Sequence, residues 1–202
     1  MTVWRKAAAA AVVGVLAGGL VLSSAAFAAT SGGSTAQGAT INGTKYNFGS
    51  TGWSLDPKFH KQEVAYPTTE PAGTVIISTR KRFLYYVLGN GKALRYGIGV
   101  GRSGFTWQGQ EKVTRKAEWP DWHPPKEMRE RDPTVPEFMK GGPGNPLGAR
   151  ALYLGNTEYR IHGTAQPWTI GTSVSSGCIR LTNEDVSDLY ERVKVGAKVI
   201  VQ

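Results

Sequence analysis

Apolar and polar residues follow different spacings in successive parts of this chain. Residues 7–22 form an almost unbroken apolar run. From residue 30 to about 44 the chain is rich in Gly, Ser, Thr and Ala, with no charge and no hydrophobic period. That stretch, taken from 29 to 44, reads as a flexible tether. Residues 45–72 bring aromatics among turn formers and read as an irregular lead-in packed on the domain C-terminal to it. At Gly73 the pattern becomes that of strands. Residues 74–78 are β-branched up to a closing serine, residues 83–88 are apolar and aromatic, and Leu94, Tyr96, Ile98 and Val100 alternate with smaller or polar residues. Asn90-Gly91 stands between the second and third runs. Both residues accept positive φ, so the pattern predicts a tight hairpin and an antiparallel meander.

Two more strands are expected at 151–154 and 158–162. In the second, Tyr159 and Ile161 alternate with Glu158, Arg160 and His162, the period of a half-buried strand. One helix is clear. Thr182 suits its N-cap, Glu184 and Asp185 its positive end, and Val186, Leu189, Tyr190 and Val193 one apolar face, with Gly196 closing it. Residues 198–201 make a final strand. Between 101 and 148 the chain has little period, many prolines and glycines, and room for a short helix over 125–131. A loop of that length is a functional lid or binding loop, or it hides an element. The expected fold is mainly β, with one clear helix near the C-terminus and the chemistry on the connections between strands.

Length and charge narrow this picture. A chain of 202 residues suffices for one well-buried core, so one domain with appendages is expected, the domain being 73–202. Arg5 and Lys6, the apolar run and Ala26-Phe27-Ala28 have the layout of a cleaved export signal over residues 1–28. Loss of those two cations lowers the formal charge from +9 to +7. A basic surface favours anionic partners. Export disfavours nucleic acid among them, and the cations are scattered, with only short runs such as Arg80-Lys81-Arg82.

Export also gives the single cysteine, Cys178, a meaning. An unpaired thiol outside the cytoplasm invites oxidation, so it is either buried and inert or retained for chemistry. His162 precedes it by sixteen residues and Arg180 follows by two. Thiol, imidazole and guanidinium suggest a nucleophile, its base and an anchor for an anionic group. Gly163, Gly171 and Gly177 give the intervening chain freedom to fold back. A thiol near pKa ~8.5 is mostly protonated at neutral pH, and an adjacent imidazolium lowers this to between ~3.5 and ~7.5. Gly177 lets backbone N–H groups turn toward a reacting carbonyl. The Gly163 carbonyl is a candidate to orient the imidazole. Ser175 and Ser176 are turn formers or substrate contacts, and Arg180 holds a carboxylate or pairs with an acidic neighbour. Trp119 and Trp122 staple the long loop or line a binding platform. His60 and His123 read as ordinary surface histidines, and no set of residues has zinc-ligand spacing.

His162-Gly163-Thr164, then Ser175-Ser176-Gly177-Cys178-Ile179-Arg180-Leu181, resembles the signature of the L,D-transpeptidase (YkuD-type) catalytic domain. The strand pattern from Gly73 to Val201 and Asn145-Pro146-Leu147-Gly148 fit the same family. The resemblance implies a mixed, sandwich-like β fold and a periplasmic enzyme without a cofactor. It also implies roles: Cys178 attacks the diaminopimelate carbonyl of a peptidoglycan tetrapeptide stem, expels D-alanine, and passes the acyl group to an amine on another stem or on an outer-membrane protein. His162 corresponds to the family's base. Ser176 departs from the family, which has histidine there. Hydrolysis in place of transfer is the rival within the family, and a non-catalytic wall-binding module the rival outside it.

Overall fold

The computed structural model describes residues 38–41, 44–47 and 54–202; the expected export signal lies outside them. In the stretch expected to be a tether, β1 (Gly38–Ile41) pairs antiparallel with β2 (Thr44–Asn47). The lead-in is also more ordered than its composition suggests. It contains a 3-10 turn over Pro57–Phe59, capped by the Asp56 carboxylate, and a strand, β3 (Gln62–Ala65). The meander comes next, as expected: β4 (Val75–Ser78), β5 (Phe83–Gly89) and β6 (Lys92–Gly97), each antiparallel to the next. Asn90 and Gly91 have φ of 51° and 70°, the positive values that a tight hairpin requires. β3 closes the meander by pairing with β6.

After the short β7 (Val100–Gly101) the long "loop" yields a missed element. Residues Gly109–Glu118 form β8, the longest strand described, set between later strands. Its sequence, GQEKVTRKAE, offers only Val113 to the core, so an apolar period could not reveal it. Its long cations lie along aromatic faces instead. Arg115 sits 3.5 Å from the centre of the Tyr153 ring and Lys116 4.0 Å from that of Tyr190, so their stems cover apolar surface. The short helix expected at 125–131 is α1 (Lys126–Arg131).

Then come β9 (Arg150–Leu154), β10 (Arg160–His162), β11 (Ser173–Ser175), β12 (Ile179–Arg180), α2 (Asn183–Arg192) and β13 (Lys198–Val201). Nine of the described strands form one sheet in the order β12-β10-β9-β8-β13-β4-β5-β6-β3. The pairs β13–β4 and β10–β12 are parallel, so the sheet is mixed. β4 is buried on both faces. Val75 and Ile77 enter the main core with Leu84, Leu152, Ile161, Val186 and Leu189, while Ile76 joins Tyr85, Val87 and Ala93 on the other side. A strand covered on both faces needs no polar alternation, which explains its continuous β-branched run. Thr182 caps α2 by accepting from the Asp185 N–H. The helix ends at Arg192, before Gly196, where the Lys116 ammonium donates to the carbonyls of Tyr190 and Val193. A cation on those orphan carbonyls also complements the helix dipole.

Candidate active site

β10 and β12 run parallel, with Ile161 opposite Ile179 and His162 opposite Arg180. Both isoleucines are buried in the core. Side chains alternate along a strand, so Arg160, His162 and Arg180 project from the opposite face. Cys178, immediately before β12, falls on that face too, with the Arg160 and Arg180 guanidinium charges and the Arg160 backbone N–H acting on its sulfur. Two strands of three and two residues thus gather a thiol, an imidazole and two guanidiniums.

The imidazole is held from behind. His162 Nδ1 lies 2.5 Å from the Gly163 carbonyl, and with Nδ1 as the donor the lone pair is on Nε2. Asn183, the first residue of α2, packs against Gly163 and bonds the residues around it. The Asn183 carbonyl oxygen accepts from Ala149 N–H at 2.8 Å, and its NH2 donates to the Thr164 carbonyl at 2.9 Å. A Cβ on Gly163 or on Gly148 would fall 2.2 Å from Asn183 Oδ1, so both positions need glycine for close approach. Leu147, at the end of the long loop, brings its backbone carbonyl against the His162 ring.

The turn carrying Cys178 is shaped by Ser175, which is buried. Its hydroxyl donates to the Cys178 carbonyl at 2.6 Å and accepts from the Gly177 N–H at 3.2 Å. Ser175 thus shapes the turn, and the Gly177 N–H is engaged by its hydroxyl. Gly177 has φ of 104°, and a Cβ there would meet the Tyr159 ring at 2.5 Å. The Tyr159 ring stacks on Trp107 with centroids 4.6 Å apart, and Trp107 Nε1 donates to the Gly177 carbonyl at 3.2 Å. Ser176 accepts from Arg102 Nη1 at 3.4 Å. Cys178 Sγ is half-buried, and its hydrogen bond goes to the Glu158 carbonyl at 3.8 Å.

Burial dominates the electrostatics. Desolvation, reinforced by the charges of Arg180 and Arg160, pushes the His162 pKa down to about 3. Burial also raises the Cys178 thiol, against the opposing pull of Arg160 and Arg180. The resting state near neutral pH is therefore neutral thiol with neutral imidazole. This environment favours that neutral pair over an imidazolium that holds a thiolate beside it. Burial lowers the Arg180 pKa, yet an arginine keeps its charge. No carboxylate among the described residues pairs with Arg180, and its Nε is buried without a partner. Of the two roles open to Arg180, the salt bridge is the one the structure does not supply.

The two tryptophans of the long loop are placed by their backbones. Trp122 is tied to Met139 by reciprocal backbone hydrogen bonds of 2.8 and 2.9 Å, and the Trp119 N–H donates to the Ala149 carbonyl at 2.8 Å. Through these backbone bonds both hold the base of the loop between β8 and β9. Asn145 tightens the same loop, bonding the Met139 and Lys140 carbonyls and the Leu147 N–H. Sequence reading missed three residues close to the thiol: Arg160, Tyr159 and Trp107. Arg160 was legible, standing two residues before His162 on a strand. Trp107, 70 residues from Gly177, was not. His60 bonds the Leu55 carbonyl and His123 packs on Phe138.

Residues 72–201 match the family model of the L,D-transpeptidase catalytic domain, YkuD. The chain is 39% identical over 146 residues to the probable L,D-transpeptidase YbiS of Escherichia coli K12, covering 68% of this chain and 47% of that protein. It is 36% identical over 146 residues to the probable L,D-transpeptidase ErfK/SrfK of the same strain, covering 68% and 46%. The chain thus spans about half the length of the curated relatives it matches. A Brucella melitensis crystal structure described as a probable carnitine operon oxidoreductase is 52% identical, with TM-score 0.50 over 73% of this chain and 96% of that one. An L,D-transpeptidase structure from Mycobacterium smegmatis shares the fold at 20% identity and TM-score 0.51, over 64% and 58% of the two chains. The mixed sheet, the thiol and imidazole on one strand pair, and the match over residues 72–201 lead to one assignment: the chain belongs to the L,D-transpeptidase (YkuD) catalytic-domain family.

Proposed function

We propose that the protein is a cysteine-dependent peptidoglycan L,D-transpeptidase, with 73–202 as its catalytic domain. One observation carries this reading: Cys178, His162 and two arginines with no carboxylate partner among the described residues share a face of the β10–β12 pair. The thiol leaves the Glu158 carbonyl, gives its proton to His162 Nε2, and attacks the diaminopimelate carbonyl of a tetrapeptide stem. The Gly163 carbonyl keeps the imidazole in the accepting tautomer and steadies the charge as it forms. The proton then passes to the departing D-alanine nitrogen, leaving a tripeptidyl thioester. Neutral reactants that become an ion pair only during attack suit a site where desolvation penalises charge at rest. Arg180, with Arg160 beside it, holds donor carboxylate.

Residues 1–28 direct export to the periplasm and are removed there. Among the described residues no helix is long and apolar enough to cross a membrane. The description of the Brucella structure names redox chemistry, whereas the reading for this chain rests on its thiol and imidazole.

Intact-mass measurement after incubation with a diaminopimelate-containing tetrapeptide tests the proposal. The wild type gains one tripeptidyl mass and releases D-alanine, and Cys178→Ala and His162→Ala gain nothing. A thioester on either variant overturns the role given to that residue. Muropeptide analysis then identifies the acceptor: 3-3 cross-links show a stem amine, wall-bound outer-membrane protein a protein amine, and free tripeptide alone water.

A further inference from the structure

Ser173, Ser175 and the turn to Cys178 connect two different supports. On one side β12 lies against β10 and its arginines. On the other, β11 pairs with β7, Ser173 opposite Val100 and Ser175 opposite Gly101, and a Cβ on Gly101 would come within 3.2 Å of the Gly177 Cα. Beside this second support a cleft of about 690 Å³ opens, lined by Thr79, Arg80, Arg82, Trp107, Gln108 and Ser173. Arg80 and Arg82 come from the turn between β4 and β5, part of the short basic run that the catalytic reading left unused. Among the described residues that line the cleft none is acidic. Arg82 Nη2 reaches Ser173 Oγ at 3.3 Å, and its Nε is buried without a partner. Trp107 joins the cleft to the nucleophile's turn: it lines the one, and its indole N–H holds the Gly177 carbonyl of the other.

Two cations, an aromatic wall, hydroxyls and an amide make a site for a polar anion with some flat or aliphatic surface. Its volume is within the ~300–1,000 Å³ of small-molecule sites, and is ample for several residues of peptide. Resting on the transpeptidase reading above, we propose that this cleft is the acceptor subsite and binds a carboxylate-bearing stem peptide through Arg80 and Arg82. The donor is held on the β10–β12 side, so the acceptor approaches the thioester past Trp107. Its amine nitrogen attacks the thioester carbonyl, the C–N bond forms, and the C–S bond breaks with its electron pair going to Sγ. The amine proton passes through His162 to the thiolate, restoring the free thiol.

The test separates the two half-reactions. Arg80 is exposed, so Arg80→Glu alters charge without disturbing the core; Arg82→Gln, checked by thermal unfolding, is the second variant. The acceptor is the diaminopimelate tripeptide, which has no D-alanine to expel. Acyl-enzyme formation from tetrapeptide, read by intact mass, stays within about twofold of wild type, while transfer to the tripeptide falls about tenfold and hydrolysis takes a larger share. Free D-methionine as acceptor separates a peptide site, where its transfer is unchanged, from a site that needs only one carboxylate, where it falls equally. Unchanged transfer to both acceptors, or acylation lost in proportion, overturns the proposal. If the wild type forms no acyl-enzyme, the transpeptidase reading itself fails; tripeptide binding to Cys178→Ala, weakened by Arg80→Glu, still tests the cleft.

Discussion

The β4–β6 meander and the β10–β12 edge obey the same two-residue alternation, yet they are held in place by different forces. In the meander the strands have four to seven residues, their apolar faces are buried, and Asn90-Gly91 sets the register through its own backbone. Everything needed lies within a few positions of where it acts. β10 and β12 have three and two residues, too few to fix their own pairing. Asn183 ties Ala149 to Thr164, and the backbone joins Leu181 N–H to the His162 carbonyl and Arg180 N–H to the Gly99 carbonyl. The outward face of such an edge is free to carry charge because the isoleucines beneath it supply the burial. A long strand pair specifies itself, and a short one carrying chemistry borrows its position from distant polar groups.

The difference can be broken most severely at Asn183. Asn183→Ala leaves the Ala149 N–H and the Thr164 carbonyl buried and unpaired, at about 2 to 4 kcal/mol, seen in urea unfolding. Acylation should fall further than the stability loss explains, because the Gly163 carbonyl loses its support; unaltered acylation by the folded variant would separate Asn183 from the site.

The buried imidazole comes next. Folded His162 takes up its proton only near pH 3, against 6.5 for the free group. Between those values the unfolded chain binds more protons, so stability is full above 6.5 and declines as pH falls. At pH 4.5 the loss attributable to His162 is about 3 kcal/mol. His162→Gln should shrink the difference in unfolding free energy between pH 7 and 4.5 by about that amount. Asp185, raised by burial to about 6, acts in the opposite sense, losing its contribution as pH rises through 6. It is common to both proteins and cancels in the comparison.

Arg160→Ala and Arg180→Ala test the outward face. On the proposed reading each removes one charge-assisted contact to donor carboxylate, about 2 kcal/mol or some thirtyfold in kcat/KM for acylation, with little change in Tm. Equal rates for a donor whose free carboxylates are amidated and for the native donor in wild type would remove the anchoring role. The smallest effect belongs to the meander. Gly91→Val forces a β-branched residue to φ of 70° and costs about 1 to 2 kcal/mol, with acylation per folded molecule unchanged.

Where a feature depends on near neighbours, the chain itself announces it. The meander, its Asn-Gly turn, the Thr182 cap, and His162 and Cys178 near two strand starts or ends could all be read from spacing and residue type. β8 could not, since ten mostly polar residues become a central strand only because β9 and β13 flank them. Charge on that strand is tolerated because Tyr153 and Tyr190, brought from elsewhere, cover its cations. Ser175 shows both sides at once. Its place in a turn was legible, but which groups its hydroxyl would satisfy was not.

By itself the sequence determined a mainly β chain, its one well-capped helix, and a thiol and imidazole set sixteen residues apart with an arginine beyond. Tertiary structure decided the rest. Parallel register put Cys178, His162, Arg160 and Arg180 on one face, burial left the imidazole neutral, and Trp107 came to rest against Gly177 from 70 residues away. The reason is physical. Dihedral preference and alternation act between neighbours, whereas desolvation and side-chain hydrogen bonds depend on which distant segments the folded sheet brings together.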